Sequence, residues 1–408
     1  MEVLTGIYLF YIITTMYVSM LGLIIYFKIK DDFFKSPGED FLEGLTVIVP
    51  VYNEEDTIAA TLDSLLANGY PEDKLEILVV NDESTDNTLQ IVQEYKKKYK
   101  QVRVFSKLNS GKADSVNQAI KKAKNEFIAI VDADSYLEKD ALKEVMKYFA
   151  DEKVGAVTGV CMVKNRNKLL EKCQAMEYVL IAWTRKTLDA VHSVFVTPGS
   201  LSAYRKKALD EVGGFDKNIM TEDIEIAWNI LKHRWKTRMA TRAKVFTTAP
   251  SNVKDWYNQR IRWNVGGFQT LAKHWGALGK KEHNMLGIFV IPFFMSHLFI
   301  SFTGFFVFSW VVIDKLYNWF LFSRYSLEQN SAILDLSEIY LLPSVFTFFA
   351  VLVILLFGLS IIYSLKTLKE AKIKIDFAFV FYALFYLSVF PILLIISLYL
   401  WKRGYSKW

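Results

Sequence analysis

The sequence predicts an α/β domain with a mostly parallel sheet, tethered to a membrane by apolar helices at both ends. Three observations lead there. Between about Leu45 and Lys281, short apolar runs alternate with charged amphipathic stretches, the order that builds strand–helix–strand units. Uncharged runs of about twenty residues or more stand before and after that middle, enough for helices to cross a bilayer. Finally, Tyr52-Asn53-Glu54, Asn81-Asp82-Glu83 and Asp132-Ala133-Asp134 each follow an apolar run. Ligands of open α/β sheets bind beyond the carboxyl ends of the strands, so three polar clusters on that edge outline a site.

Taken in order, Gly6 to Phe27 carries no charge, no basic residue precedes it and no small-residue cleavage pattern follows. It reads as an uncleaved anchor, not a signal peptide. Lys28 and Lys30 come next and the middle is rich in Lys and Arg, which places the middle in the cytosol and the N-terminus outside. Leu45 to Val49 are strand-like, and Pro50 is expected to end the ladder. Glu54 to Asn68 have helical periodicity through Ile58, Leu62, Leu65 and Leu66. Leu75 to Val80 form a second buried strand, and the polar loop Asp82 to Asp86 offers Ser84 or Asp86 as the N-cap of the next helix. Val102 to Phe105 and Phe127 to Val131 supply two more strands. No GxGxxG fingerprint is present, which disfavours a dinucleotide fold.

Asp255 to Lys281 interleaves Trp256, Tyr257, Trp263, Phe268 and Trp275 with basic residues, the pattern of amphipathic helices lying in the bilayer interface. A bend is expected at Gly266-Gly267. Met285 to Ile313, Ile339 to Leu365 and Phe377 to Leu400 then read as three spans. The predicted parts are thus an anchor over 1–30, the α/β domain over 40–252, interfacial helices over 253–282 and a membrane region over 283–408. One conflict stands: three late spans put the C-terminus outside, whereas Lys402, Arg403 and Lys407 favour the cytosol.

Composition narrows the function. At 52% hydrophobic and 15% aromatic the chain holds more apolar material than a soluble protein of 408 residues needs, and the excess lies at the ends. Two cysteines make no disulfide framework and suit a reducing compartment. The net charge of +6 fits contact with anionic membrane lipid, and no basic cluster argues for nucleic acid. A transporter is disfavoured because the late spans contain no Asp, Glu, Lys or Arg.

The pair Asp132 and Asp134 has two readings. Carboxylates two apart beyond a strand hold a hard divalent cation, Mg²⁺ or Mn²⁺, together with phosphate oxygens. Alternatively, Asp134 caps a helix from Tyr136 onward. The ordered set "VIVPVYNEE", "VVNDESTDNT", "NSGKADSVNQAI", "VDADS", "TPGSLSAYRK", "MTEDIEIAW" and "QRIRW" resembles the membrane-bound inverting glycosyltransferases of family 2, which include hyaluronan, cellulose and poly-N-acetylglucosamine synthases. The resemblance implies a GT-A-type fold and a UDP-sugar donor, with Mg²⁺ or Mn²⁺ at Asp132 and Asp134. It implies that Asp82 contacts the uracil or ribose with Pro50, Tyr52 and Glu54 nearby, and that Lys112 and Ala133 lie on the donor side. By the same resemblance Asp223 of "TED", beside Glu222, is the general base. Gln259, Arg262 and Trp263 form QxxRW, with Arg262 on the diphosphate and Trp263 under the acceptor sugar. A tryptophan there also suits an interfacial anchor. One departure is Glu83, where the family's loop has glycine.

The expected activity is processive extension of a β-linked polysaccharide, of N-acetylglucosamine. A single addition to a polyprenyl phosphate or ceramide-like lipid is the competing activity, separated from it by product length. The late spans carry aromatic side chains such as Phe289, Phe293, Phe381 and Phe385 that could line an exit path, completed by a homo-oligomer or a second membrane subunit.

Overall fold

A computed structural model describes residues 2–328, 345–368 and 376–405. The chain opens with helix α1 (Glu2–Ile29) and enters the domain at β1 (Leu45–Val51), followed by α2 (Ile58–Leu66), β2 (Leu75–Asp82), α3 (Thr88–Lys98), β3 (Val102–Lys107), α4 (Lys112–Lys122) and β4 (Phe127–Ile130). The second half runs β5 (Tyr136–Leu137), α5 (Ala141–Met146), β6 (Val154–Val163), α6 (Leu169–Asp189), β7 (Ser202–Arg205), α7 (Lys206–Val212), α8 (Glu222–Lys232) and β8 (Lys236–Thr247). These strands form one sheet in the order β3-β2-β1-β4-β7-β6-β8-β5.

The sheet is parallel from β3 to β4, while β7 runs antiparallel to both β4 and β6. The chain leaves β1 toward β2 and β3, then returns to β4 on the other side of β1. That reversal opens a crevice at the carboxyl ends of β1 and β4. Alternate residues of the strands feed two cores. Val47, Val49 and Ile77 pack with Ile58, Leu62 and Leu65 of α2, whereas Ile48, Leu78, Ile128 and Ile130 pack with Val116 and Ala119 of α4. Each large side chain sealed in this way contributes roughly 1.5–3 kcal/mol, so both faces of the strands are committed and only their ends are free for chemistry.

Three local expectations are corrected. Pro50 does not end β1, which pairs with β2 as far as Val51 opposite Asn81. Pairing with β4 stops at Ile48, so Pro50 has a strand neighbour on one side only, where its missing N–H is tolerated. Asp134 caps no helix, because Tyr136 and Leu137 are strand and pair with β8. Finally, α9 (Val253–His274) is one uninterrupted helix through Gly266 and Gly267, not two pieces. A Cβ on Gly266 would lie 2.1 Å from Thr221 Oγ1, so this glycine serves close helix packing.

The apolar ends meet. Beyond α9 come α10 (Ile291–Glu328), α11 (Val345–Thr367), α12 (Phe377–Phe381) and α13 (Phe390–Lys402), with π-helical turns at Leu286–Val290 and Tyr382–Tyr386. Among the described residues, Gly6–Asp32, Leu286–Glu328 and Phe377–Lys402 are long and apolar enough to cross a membrane, and Val351–Thr367 is a shorter apolar helix. The start of the expected span Ile339 to Leu365 lies outside the described residues. The Tyr26 hydroxyl of α1 sits 2.7 Å from Thr367 Oγ1 of α11, and Phe10 meets Phe299 of α10 edge-on at 5.5 Å. The helix expected to stop at Ile313 continues to Glu328, about 57 Å for 38 residues.

Candidate active site

One end of the crevice is built from three cross-linked loops. After β1, Asn53 takes φ +55° and its Oδ1 accepts the Thr85 N–H at 2.8 Å. The Glu54 N–H donates to Thr88 Oγ1 at 2.7 Å. Tyr52 remains half exposed beside these fixed loops, free to meet a planar ligand. Asp82, by contrast, is buried and its carboxylate is engaged. It pairs with Lys107 and accepts the N–H groups of Ser110 (3.1 Å) and Gly111 (3.0 Å), which fixes the loop leading to Lys112. Glu83 adopts φ +66°, the conformation a glycine would take there, and its carboxylate accepts the Asn109 N–H at 3.0 Å. The departure from glycine therefore keeps the turn and adds a tie to the same loop.

Across the switch point the charges converge. Lys112 Nζ, at the start of α4, is 2.6 Å from Asp132 Oδ1 and 3.0 Å from Glu222 Oε1. One ammonium thus joins the end of β4 to the first turn of α8. Asp134 accepts from Thr247 Oγ1 at 3.2 Å and Ser135 Oγ at 3.3 Å. Desolvation, and then the charge of Asp132, push its carboxyl above the ordinary range. Glu54 is also raised, by desolvation first and with Asp134 and Asp132 adding to it, while the Thr57 hydroxyl opposes. Ala133 is buried, and its carbonyl accepts the Thr61 hydroxyl at 2.6 Å. Glu54, Asp132 and Asp134 therefore repel one another, and Lys112 is the counter-charge to Asp132 and Asp134. Among the described residues no group of three or more His, Cys, Asp or Glu could hold a metal ion alone. The donor set fits a hard cation that takes one or two carboxylates and completes its shell with water and phosphate oxygens.

Asp223 occupies the first turn of α8. Its carbonyl accepts from Thr197 N (3.3 Å) and Thr197 Oγ1 (3.0 Å), which binds "TED" to the "TPGS" loop. Desolvation, followed by the neighbouring charge of Glu222, raises its carboxyl to about 7. That is a suitable value for a base working near neutral pH. Gly199 of the same loop is required sterically, since a Cβ there would lie 2.5 Å from Lys112 Nζ and 2.7 Å from Asp132 Oδ1.

QxxRW lies on α9. Gln259 Oε1 accepts from Arg260 Nη1 at 2.7 Å. Arg262 is half-buried, and its guanidinium makes no hydrogen bond or ion pair with the described residues. Trp263 has the Arg260 guanidinium 4.2 Å over its ring and Tyr178 of α6 at 6.4 Å. Sequence reasoning missed Gly199, Thr247, Cys161, Tyr178 and Arg185. Burial pushes the Cys161 thiol up to about 12, beside Ser200 and in the field of Arg185, Asp134 and Asp132. Arg185 is lowered by desolvation and feels Cys161, Asp223 and Tyr178. Tyr178 and Arg185 are seven apart and so share one face of α6, a signal readable only once that helix is known to wall the crevice.

A mixed α/β sheet with a carboxylate-and-lysine crevice at its switch point, held between apolar helices, defines a GT-A-type glycosyltransferase fold. A family model described as "Glycosyltransferase like family 2" matches residues 43–266. The chain belongs to that family and is a glycosyltransferase. It is 30% identical over 330 residues to a poly-β-1,6-N-acetyl-D-glucosamine synthase of Staphylococcus epidermidis, covering 77% of this chain and 79% of that one. A synthase of the same description from Staphylococcus aureus (strain MSSA476) is 32% identical over 263 residues, 64% of this chain and 63% of that one. Among solved structures, a mannosyltransferase from Pyrobaculum calidifontis, in complex with GDP-Man and Mn²⁺, superposes with a TM-score of 0.62 at 20% identity, covering 99% of this chain and 100% of that one.

Proposed function

We propose that this chain is a membrane-embedded inverting glycosyltransferase that adds N-acetylglucosamine from a UDP-sugar to a growing β-linked polysaccharide. The observation that carries this reading is the single cluster of Asp223, Glu222, Lys112 and Asp132 at the switch point. The synthases about 30% identical to the chain support the choice of sugar and of polymer. The positive-inside bias puts the domain in the cytosol of a multi-pass protein.

In the reaction, Asp223 takes the proton of the acceptor hydroxyl as that oxygen forms its bond to the anomeric carbon. The bond from that carbon to the diphosphate oxygen breaks on the opposite face, UDP leaves, and the configuration inverts. Lys112 holds Asp132 and Glu222 in register, and Arg262 offers its free guanidinium to phosphate oxygens. Tyr52 lies against the base, and the free face of Trp263 carries the acceptor sugar. Asp132 and Asp134 would hold Mg²⁺ or Mn²⁺, which supplies charge neutralisation to the departing diphosphate.

The test is to incubate membranes holding the chain with a panel of UDP-sugars and follow UDP release and product size. UDP-N-acetylglucosamine should give a polymer, EDTA should stop it, and Mg²⁺ or Mn²⁺ should restore it. A single glycolipid spot would replace the polymer reading by single addition to a lipid. Undiminished turnover in excess EDTA would remove the metal from the scheme.

A further inference from the structure

Arg260, inside QxxRW, is 2% exposed and belongs to a buried network that ties three elements together. Its Nη2 donates to Glu177 Oε2 of α6 at 2.5 Å and lies 3.4 Å from Tyr386 Oη, while Nη1 donates to Gln259 at 2.7 Å. Tyr386 Oη donates to the same Glu177 oxygen at 2.7 Å and accepts the Trp256 indole N–H at 2.8 Å. Tyr386 closes the π-helical turn in the last apolar segment, where it and Tyr382 are both buried with rings stacked 5.5 Å apart. Such turns recur at functional sites because they re-aim a stretch of side chains.

The guanidinium held in this way is the group that lies 4.2 Å over the Trp263 ring. Two fixed hydrogen bonds set the plane of Arg260. That plane covers one face of the indole. We propose that Glu177 and Tyr386 are positioning residues which, through Arg260, hold the Trp263 ring in the orientation the acceptor needs. The last apolar segment is thereby mechanically joined to the acceptor end of the crevice. The proposal rests on the reading of Trp263 as the acceptor platform.

The experiment uses the full chain in lipid nanodiscs with saturating UDP-N-acetylglucosamine and a varied N-acetylglucosamine oligosaccharide primer. Tyr386→Phe keeps the ring and removes the hydroxyl. It should raise the primer KM about five- to tenfold, with kcat within about threefold and the donor KM within about twofold. Trp263→Ala should raise the primer KM at least as much. Because the effect runs through the indole, the double variant should be no worse than Trp263→Ala alone, within about twofold. Multiplying effects would overturn the proposal, as would an unchanged primer KM in Tyr386→Phe beside a raised one in Trp263→Ala. If Trp263→Ala itself leaves the primer KM unchanged, the acceptor-platform reading has failed, and this proposal fails with it. Should Tyr386→Phe not fold, Trp256→Phe removes the N–H that orients the hydroxyl and is judged by the same split between primer and donor.

Discussion

As the proposed base, Asp223 must be ionised to accept a proton, and the crevice makes ionisation harder. Desolvation and the Glu222 carboxylate lift its pKa to about 7, so turnover should fall about tenfold per pH unit as the pH drops below that value. Asp223→Asn should flatten this limb and lower kcat about a hundredfold or more, with the affinity for UDP-sugar retained. A donor affinity that collapsed with Asp223→Asn would move the residue to the donor side. The same shift fixes a stability trend. A folded pKa raised above the unfolded value means that the native state binds this proton more tightly, so ionising Asp223 costs stability above pH 7. That cost fades as the pH falls through 7 toward the unfolded value near 4. Asp223→Asn should therefore melt higher than the parent at pH 8, and the gap should narrow in thermal scans at pH 5.

At the level of elements, the first half of the domain was legible because parallel strands buried on both faces leave continuous apolar runs. Phe127 to Ile130 is one, and the carboxylates just past it mark its free end. The second half was not legible in the same way. β7 and the pairing of β6 with β8 join segments far apart in sequence, so nothing local announces that Thr247 reaches Asp134 or that α6 walls the crevice. Gly266 is a related case: composition suggests a bend there, whereas its role is set by Thr221, which lies 45 positions earlier. Asp82 illustrates a further limit: sequence located it at the end of β2, and only the structure shows its carboxylate occupied by Lys107 and two loop N–H groups. Gly199 gives this scale its prediction. A methyl group at that position would displace Lys112 Nζ and Asp132 together. Gly199→Ala should thus abolish sugar transfer in the UDP-release assay while thermal unfolding stays close to that of the parent. Retained activity would show that the Lys112–Asp132 contact is dispensable.

For the whole molecule, the proposed function raises the question of how a hydrophilic polymer made at the cytosolic face would leave. Phe195, two residues before the threonine that binds Asp223, lies 6.2 Å from Phe293, which stacks on Phe289 at 5.8 Å. An aromatic row thus begins at the "TPGS" loop and enters the first turns of the apolar bundle, a surface on which sugar rings could slide. Farther along α10, Phe306, Phe308 and Trp310 are exposed, and no described helix covers them. Among the described residues, α1 packs on α10 and α11, and α13 packs on α10. On the proposed reading, a closed path along α10 would be completed by a second copy of the chain or a second membrane subunit. With the purified chain in sealed vesicles and UDP-N-acetylglucosamine supplied outside, the polymer should remain on the outer side and be fully digested by an external polymer-degrading enzyme. Adding a second subunit, as a higher density of this chain or as a co-reconstituted membrane fraction, should render the product resistant. Product protected from digestion in vesicles that hold isolated single copies would overturn this view, and would mean that the aromatic row and four helices suffice.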